Sequence, residues 1–187
     1  MKLKLTGLGL LFSLFVSTMA LAESPITWLS AEKFTVYENQ KCFDKTIQGK
    51  TEKSCAQVSA KLLKTNLPWL NEFLENKAVE TGKTDILENA RHLISESDPP
   101  QKIFDLMLNS DYQFIKTLSP ADEVAEWEYQ YEQHYLGQRH NLLMFLEVVA
   151  IPIGRSADGV FEENYINIDL ATQKQLMLKD ILIPGQE

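Results

Sequence analysis

The clearest pattern along the chain is an alternation of apolar and polar residues in its last third. Residues 126–132 (EWEYQYE) alternate without a slip, which is typical of a half-buried antiparallel strand. Turn residues at 137–141 separate this segment from a longer apolar strand at 142–153. Residues 164–170 alternate again, and after a turn a partner strand returns at 175–178. The pattern predicts an antiparallel β-meander.

The middle of the chain has a helical period instead. Apolar residues fall on one side of residues 57–63. They do so again over residues 68–80, after which Gly82 is expected to end the helix. Thr84 is the predicted N-cap of a further helix that runs to residue 94. A last amphipathic helix is predicted over residues 103–118.

A short alternating segment precedes these helices. Residues 32–39 place Phe34 and Val36 on one side and Thr35 and Tyr37 on the other, which predicts a strand. The order is therefore an N-terminal strand, a helical middle and a β-meander. Helices and strands that are segregated along the chain favour an α+β fold, with the meander packed against the helices, over a parallel doubly wound sheet.

The first 22 residues have the three parts of a cleavable secretory signal. Two lysines precede an apolar stretch at residues 8–16, and Ala20 and Ala22 are small residues at the cleavage position. The alternative is an uncleaved membrane anchor, but the apolar run at residues 5–21 is on the short side for a membrane span and is interrupted by threonine, serine and glycine. We expect a periplasmic or secreted protein that is monomeric, has no membrane span after cleavage, and folds as a single domain over residues 23–187.

The chain contains two cysteines, Cys42 and Cys55. Both lie in the part expected to be exported, where disulfides persist. The segment between them is polar and has Gly49 near its middle, which suits a hairpin or loop. A redox pair or a metal site would need C-x-x-C spacing or a nearby histidine. The sequence therefore predicts a structural disulfide, worth roughly 3 kcal/mol in the chain-entropy model.

Composition and charge narrow the possible partners. The chain has 18 basic and 26 acidic residues, a formal charge of −8, and is 44% hydrophobic. This composition is typical of a globular protein. Nucleic acids are bound by clustered basic residues, so the acidic balance argues against a nucleic-acid partner.

The acidic residues and histidines of the last third are the candidates for chemistry. Glu126, Glu128 and Glu132 lie on one face of the predicted strand, and His134 and His140 flank the next turn. Paired carboxylates can perform acid–base catalysis, so a hydrolase of envelope polymers that uses these residues with His134 is one hypothesis. The alternative is a solvated strand face. A metal site formed by His134, His140 and Glu132 is a weaker alternative, because a second pair of ligands with metal-like spacing is lacking. Phosphate-loop and nucleophile motifs are also lacking, and no metal or cofactor is predicted.

The aromatic residues of the same strand are the candidate ligand face. Trp127, Tyr129 and Tyr131 alternate with the acidic residues and therefore share one side of the strand. Such a face is more often core than a platform for carbohydrate. If it is exposed, stacking on a sugar becomes a serious hypothesis.

The C-terminal hairpin resembles a known family. Residues 164–182 (NYINIDLATQKQLMLKDIL) resemble the n-y-n-x-D-L-x-T-G-k-x-l-t-L-x-D-l-l stretch of the extracellular domains in the anti-sigma factor RsiV and the peptidoglycan deacetylase PdaC. Residues 57–63 resemble the family's early helix by their position along the chain. Residues 127–131 and 141–147 resemble its two paired strands in the same way. The loop at 154–159 departs from the family, since it has neither a Gly-Gly pair nor a histidine.

The resemblance implies a non-catalytic binding module of the cell envelope. RsiV-type domains bind lysozyme, and PdaC carries the domain beside its catalytic domain, so the implied ligand is an envelope protein such as lysozyme or a peptidoglycan fragment. An acidic surface suits a basic partner through electrostatic steering. A purely structural role in the envelope is a further alternative. The family fold continues past this hairpin, which implies that the chain is incomplete at its C-terminus.

Overall fold

The fold is a six-stranded sheet with helices on one face. The structure is a computed structural model that describes residues 28–31, 33–47, 49–95, 97–118, 126–151 and 159–181. The predicted signal at residues 1–22 lies outside the described residues. The strands are β1 (Lys33–Ile47), β2 (Lys50–Lys64), β3 (Glu126–Arg139), β4 (Leu142–Ile151), β5 (Val160–Asp169) and β6 (Lys174–Gln175). The helices are α1 (Pro68–Asp85), α2 (Glu88–Arg91), α3 (Pro100–Thr117) and α4 (Leu178–Ile181).

Strand order in the sheet follows the chain, from β1 to β6. Neighbouring strands are antiparallel except for β2 and β3, which are parallel. The helices fill the connection between those two strands, as parallel pairing requires a long crossover. The predicted α+β fold is confirmed. The predicted antiparallel meander is formed by β3 to β6. In addition, β3 pairs in parallel with β2, which was not predicted.

The helix predicted over residues 57–63 is wrong, because these residues lie within β2. Val58, Ala60 and Leu62 are buried while Gln57 and Ser59 are more exposed, which is the period of a strand. Residues 42 and 55 are opposite each other in the β1–β2 hairpin. The hairpin and the pairing with β3 outweigh the helical propensity of alanine, lysine and leucine in this segment.

The helix boundaries around Gly82 and Thr84 also differ from the prediction. α1 continues through Gly82 to Asp85, and a Cβ atom on Gly82 would lie 2.6 Å from Cγ2 of Ile103 on α3. Glycine is therefore needed where the two helices approach closely, not as a helix end. The hydroxyl of Thr84 donates to the carbonyl oxygen of Glu80 within α1, so Thr84 is not an N-cap.

The strand ends of the meander differ in detail. β3 continues to Arg139 past an irregularity between Tyr135 and Gly137. The turn is formed by His140 and Asn141, with His140 at a φ of 53°. The strand expected at 175–178 is only β6, and α4 follows. Most of the loop at 154–159 lies outside the described residues.

The core lies between the sheet and the two long helices. α3 packs on β1 and β2 and contacts β3 through aromatic rings. α1 packs on α3 and β2 and shares a buried cluster with β4 and β5. The core's fully buried side chains of largest volume are Tyr129, Tyr131, Phe104, Phe145, Leu63, Leu70, Leu74, Ile103, Leu108, Ile115, Leu143 and Ile168. Among the described residues, no helix has the length and apolar character to cross a membrane.

Candidate functional site

The aromatic side of β3 faces the helices and belongs to the core. Tyr129 and Tyr131 are 1% and 0% exposed, and Trp127 is half-buried. The ring of Trp127 meets Phe114 of α3 edge-on at 5.2 Å between centroids. Since α3 and α1 cover this side of the sheet, the candidate ligand face is not an exposed platform. The carbohydrate hypothesis for these three residues is thereby corrected in favour of the core.

Each of these three aromatic side chains donates a hydrogen bond to a carboxyl group. The indole of Trp127 donates to Asp111 of α3. The hydroxyl of Tyr129 donates to Oδ2 of Asp85 at 2.8 Å, at the end of α1. The hydroxyl of Tyr131 donates to Glu147 of β4. The three pairs join β3 to three different elements.

Burial dominates the electrostatics of the three carboxyl groups. Asp111 is 7% exposed, and its burial raises the pKa of the carboxyl to about 7, against the opposing effect of the Trp127 hydrogen bond. Burial also raises the pKa of Asp85 and of Glu147. A carboxylate in an apolar environment loses hydration that one hydrogen bond does not fully replace.

Gln133 completes the buried polar group around Glu147. Its side-chain nitrogen donates to the carbonyl oxygen of Leu74 at 2.8 Å and to the hydroxyl of Tyr131 at 2.8 Å. Its oxygen accepts from the amide of Leu63 at 3.1 Å. These contacts connect α1, β2 and β3. The arrangement is structural, since it is enclosed and satisfied.

The predicted acidic residues lie on the opposite side of β3. Glu132 accepts from Lys61 Nζ at 2.6 Å, and its other oxygen lies 3.3 Å from Nε2 of His134. Glu126 is exposed and Glu128 is half-buried. His140 lies at the β3–β4 turn, six residues and thus roughly 20 Å along the strand from His134. The structure therefore brings Glu132 and His134 together without His140.

A metal site does not emerge from these residues. Within the part of the chain that the structure describes, no three histidine, cysteine or acidic side chains are grouped as metal ligands. His92 is exposed beside α2. The pair formed by Glu132 and His134 is held by Lys61 in a surface ion pair, which accounts for its geometry.

We call the side of the sheet opposite α1 and α3 the open face. Strand alternation assigns to it Glu128, Gln130, Glu132 and His134 of β3, Leu146, Val148 and Ala150 of β4, and Phe161, Glu163 and Tyr165 of β5. The three aliphatic residues of β4 form a half-buried stripe across it. The acidic and polar residues of β3 border the stripe on one side, and β5 borders it on the other.

Two strongly exposed aromatic residues of the open face are on β5, whereas the candidate ligand face was expected on β3. Phe161 is 64% exposed and Tyr165 is 63% exposed. Glu163 lies between them, and the Tyr165 hydroxyl donates to Oε2 of Glu163 at 3.4 Å. This pair was not predicted from the sequence. The signal was present for Tyr165, since it alternates with Ile166 and Ile168, whose side chains face the core.

Cys42 and Cys55 form a disulfide, as the sequence predicted. The two residues are direct cross-strand neighbours in the β1–β2 hairpin, with Cα atoms 4.1 Å apart. Strand alternation places them on the open face, next to Glu126 of β3. They are 13 residues apart in sequence, and the end of β1 and the start of β2 occupy most of the chain between them.

Comparison with known proteins gives structural likeness alone. No family model matches the chain, and no curated protein matches it. One similar crystal structure is a DUF3298 family protein from Pseudomonas aeruginosa PAO1, with 21% identity over 82% of this chain and a TM-score of 0.46. Another is a DUF3298 family member from Bacteroides fragilis NCTC 9343, with 16% identity over 79% of this chain and a TM-score of 0.41. The chain spans 60% of the length of each.

Proposed function

We propose that this protein is an exported, non-catalytic binding module of the cell envelope, of the type found in RsiV and PdaC. Its ligand is an envelope protein such as lysozyme or a peptidoglycan-related fragment, bound on the open face. The observation that carries the proposal is the pair of exposed aromatic residues, Phe161 and Tyr165, beside the aliphatic stripe of β4.

The composition of the open face supports recognition of a basic ligand. Exposed aromatic side chains are the residues that most often dominate binding energy at protein interfaces, and ring faces also fit the apolar faces of sugars. Glu128, Glu132 and Glu163 make the surroundings acidic, and Lys61 is paired with Glu132. Opposite charge speeds encounter with a basic protein and makes association sensitive to salt.

Two observations support the RsiV/PdaC type and the exported location. Residues 164–182, which carry the sequence resemblance, form the end of β5, the turn, β6 and α4 as far as residue 181. The disulfide between Cys42 and Cys55 fits an oxidising compartment outside the cytosol.

A binding experiment tests the proposal. Immobilised lysozyme and soluble peptidoglycan fragments are titrated with the protein at low and high salt, and with a Phe161→Ala/Tyr165→Ala double variant. We expect at least one of the two ligands to bind. Binding to lysozyme should be weaker at high salt, and the double variant should bind at least tenfold more weakly than wild-type. Trp28→Ala removes an exposed aromatic residue elsewhere and is the matched control. Absence of binding to both ligands would refute the proposal.

A hydrolase of envelope polymers is the second candidate, because Glu132 and His134 are in contact. Lys61 also holds Glu132, which favours an ion pair over a general acid. The two candidates differ in a turnover assay on peptidoglycan. Turnover that is lost in a Glu132→Gln variant would establish the hydrolase and remove the binding-module proposal.

A further inference from the structure

The helix α1 covers one of the two buried clusters of the core. The helical members of this cluster, Leu70 and Leu74, both belong to α1, and α3 contributes none among the residues that the structure describes. The other buried members lie on β2, β4 and β5: Leu63, Leu143, Phe145, Ile166 and Ile168. α3 packs instead on β1 and β2 and on aromatic rings of β3. The two long helices therefore cover different parts of the sheet.

Glu147 of β4 is buried on the side of the sheet that α1 covers. It is 3% exposed, and its Oε1 accepts a hydrogen bond from the hydroxyl of Tyr131. The side-chain nitrogen of Gln133 lies 3.5 Å from the same oxygen. That nitrogen is shared with the carbonyl oxygen of Leu74 in α1 and the Tyr131 hydroxyl, each at 2.8 Å. Burial raises the pKa of Glu147, because these bonds do not fully replace the hydration of a carboxylate.

The charged residues of α1 near Glu147 oppose each other. Lys77 lowers the pKa of Glu147 and Glu80 raises it, both by less than burial does. Nζ of Lys77 is bound to Oε2 of Glu80 at 2.7 Å and lies 5.8 Å from the centre of the Phe73 ring. Opposite charges at similar distances from a third group largely cancel. The ion pair on α1 therefore leaves an ionised Glu147 without a neutralising partner on that helix.

Asp85 is a second carboxyl group between α1 and the sheet. It is half-buried at the last residue of the helix and accepts from the hydroxyl of Tyr129 at 2.8 Å. Burial raises its pKa, and Glu162 of β5 adds to this rise against the effect of the Tyr129 hydrogen bond. The C-terminus of a helix also carries partial negative charge. A proton on Asp85 therefore favours contact between the end of α1 and β3.

The other charged groups near this end of α1 do not reverse that preference. Lys83 lies in the last turn of α1. The guanidinium of Arg91 on α2 donates to the carbonyl oxygen of Thr84 at 3.1 Å, so it meets the helix terminus. Glu147 of β4 and Asp111 of α3 both lie close enough to Tyr129 to raise its pKa further, after burial and Asp85. Negative charges thus face this region from β4, β5 and α3.

Contacts of α3 with β1 do not involve the two carboxyl groups beside α1. The hydroxyl of Tyr37 donates to Asp105, and the ammonium of Lys41 donates to Asn109. The disulfide joins β1 to β2. These bonds remain in place when charge appears beneath α1, so α3 and the β1–β2 hairpin form the more permanent part of the fold.

We propose that α1 is a proton-dependent lid on β4 and β5, closed while Glu147 and Asp85 hold protons and opened locally when both are ionised. The pKa values of both groups in the closed state lie above the ordinary 4.5 and 3.8. Their contribution to closure is therefore fully present at low pH and is lost as the pH rises through the folded values. Local opening of one element while the rest stays folded is a common form of protein motion. The lid is independent of the ligand proposed for the open face.

Amide hydrogen exchange at pH 5 and pH 8 is the first test, with each rate divided by the intrinsic rate of that amide at the same pH. The protection of Leu74 and Ala78 in α1 should fall by about tenfold or more between the two pH values. At pH 8, both amides should be less protected than those of Val58 and Ala60 in β2. Equal protection of α1 and β2 at pH 8 would mean that α1 opens only when the whole protein unfolds, which overturns the proposal.

Variants separate the lid from the stability of the whole fold. A Glu147→Gln/Asp85→Asn double variant keeps the hydrogen-bond acceptors without the charge, and α1 should then be equally protected at both pH values. Glu72→Gln/Glu76→Gln, at exposed positions of α1, is the matched control and should keep the wild-type fall.

Asp111→Asn is a second control, because Asp111 lies on α3. It should reduce the pH dependence of the β2 amides and leave that of α1 unchanged. If Asp111→Asn removed the pH dependence of α1, or the Glu147→Gln/Asp85→Asn variant retained it, the lid would be excluded.

A carboxyl titration tests the same idea without any substitution. The side-chain carboxyl carbons of Glu147 and Asp85, followed by ¹³C NMR in wild-type protein, should titrate at higher pH than the carboxyl groups of the urea-unfolded protein. Ordinary midpoints for both groups would overturn the proposal, and this result does not depend on lysozyme or peptidoglycan binding.

Discussion

Asp111 is expected to make this fold less stable at neutral pH than at mildly acidic pH. Its carboxyl is 7% exposed, and burial raises its pKa to about 7 in the folded protein, compared with 3.8 for a solvated aspartate. The folded state therefore holds a proton that the unfolded state has released. Stability from this group is fully present below the unfolded pKa and is lost as the pH rises through about 7.

The magnitude follows from the two pKa values. The full difference of about three units corresponds to about 4 kcal/mol. Between pH 5.5 and 7.5, linkage gives a loss of about 2 kcal/mol from Asp111 alone. Asp85 and Glu147 have pKa values raised by burial as well, so they change stability in the same direction.

Asp111→Asn isolates the effect. An amide oxygen still accepts from the indole of Trp127, and any cost of burying the amide nitrogen is the same at each pH. Urea unfolding of wild-type and variant, followed by tryptophan fluorescence at pH 5.5, 6.5 and 7.5, measures the free energy of unfolding. We expect the variant to lose about 2 kcal/mol less than wild-type across this range.

Asp44→Asn, at an exposed position, is the control and should reproduce the wild-type pH dependence. The reasoning would be refuted if wild-type stability did not fall between pH 5.5 and 7.5. It would also be refuted if Asp111→Asn showed the same fall as wild-type, because the proton would then be held elsewhere.

Two further predictions concern stability. Replacing both Cys42 and Cys55 with serine should lower the free energy of unfolding by roughly 3 kcal/mol. A thiol titration of the denatured wild-type protein should find free thiols only after reduction. A free thiol in the unreduced protein would contradict the disulfide. Gly82→Ala should destabilise the protein by about 1–3 kcal/mol in the same urea assay, because the new Cβ would crowd Ile103, although alanine is the better helix former by about 1 kcal/mol. An alanine variant as stable as wild-type would show that α1 and α3 can separate there without cost.

The meander was predictable from sequence and β2 was not, for a physical reason. β3, β4 and β5 pair with their neighbours in the chain, so local alternation defines them. β2 pairs with β1 and also with β3, whose paired residues begin at Glu126, far along the chain. Val58, Ala60 and Leu62 alternate as in a strand, but alanine and lysine in the same segment are good helix formers and favour a helix. The deciding contact is distant in sequence.

The sequence predicted which residues of the candidate site share a side of β3, but not whether that side is buried or exposed. Alternation correctly placed Trp127, Tyr129 and Tyr131 on one side of β3. Which side would be covered depended on Asp85 of α1 and Asp111 of α3, and no local pattern relates those residues to β3. The exposed pair at Phe161 and Tyr165 depends in turn on how far α1 extends over β5, which is a property of tertiary packing.

The alternation of β3 divides structural and binding roles between its two sides. Trp127, Tyr129 and Tyr131 are each joined to a different element by a hydrogen bond, so substitutions there act on the whole core. The residues between them project onto the open face, where they contact solvent and an ion pair. Substitutions there and at the exposed end of β5 remove little buried surface. Loss of binding in those variants can therefore be attributed to the surface itself, because their free energy of unfolding is expected to stay within about 0.5 kcal/mol of wild-type.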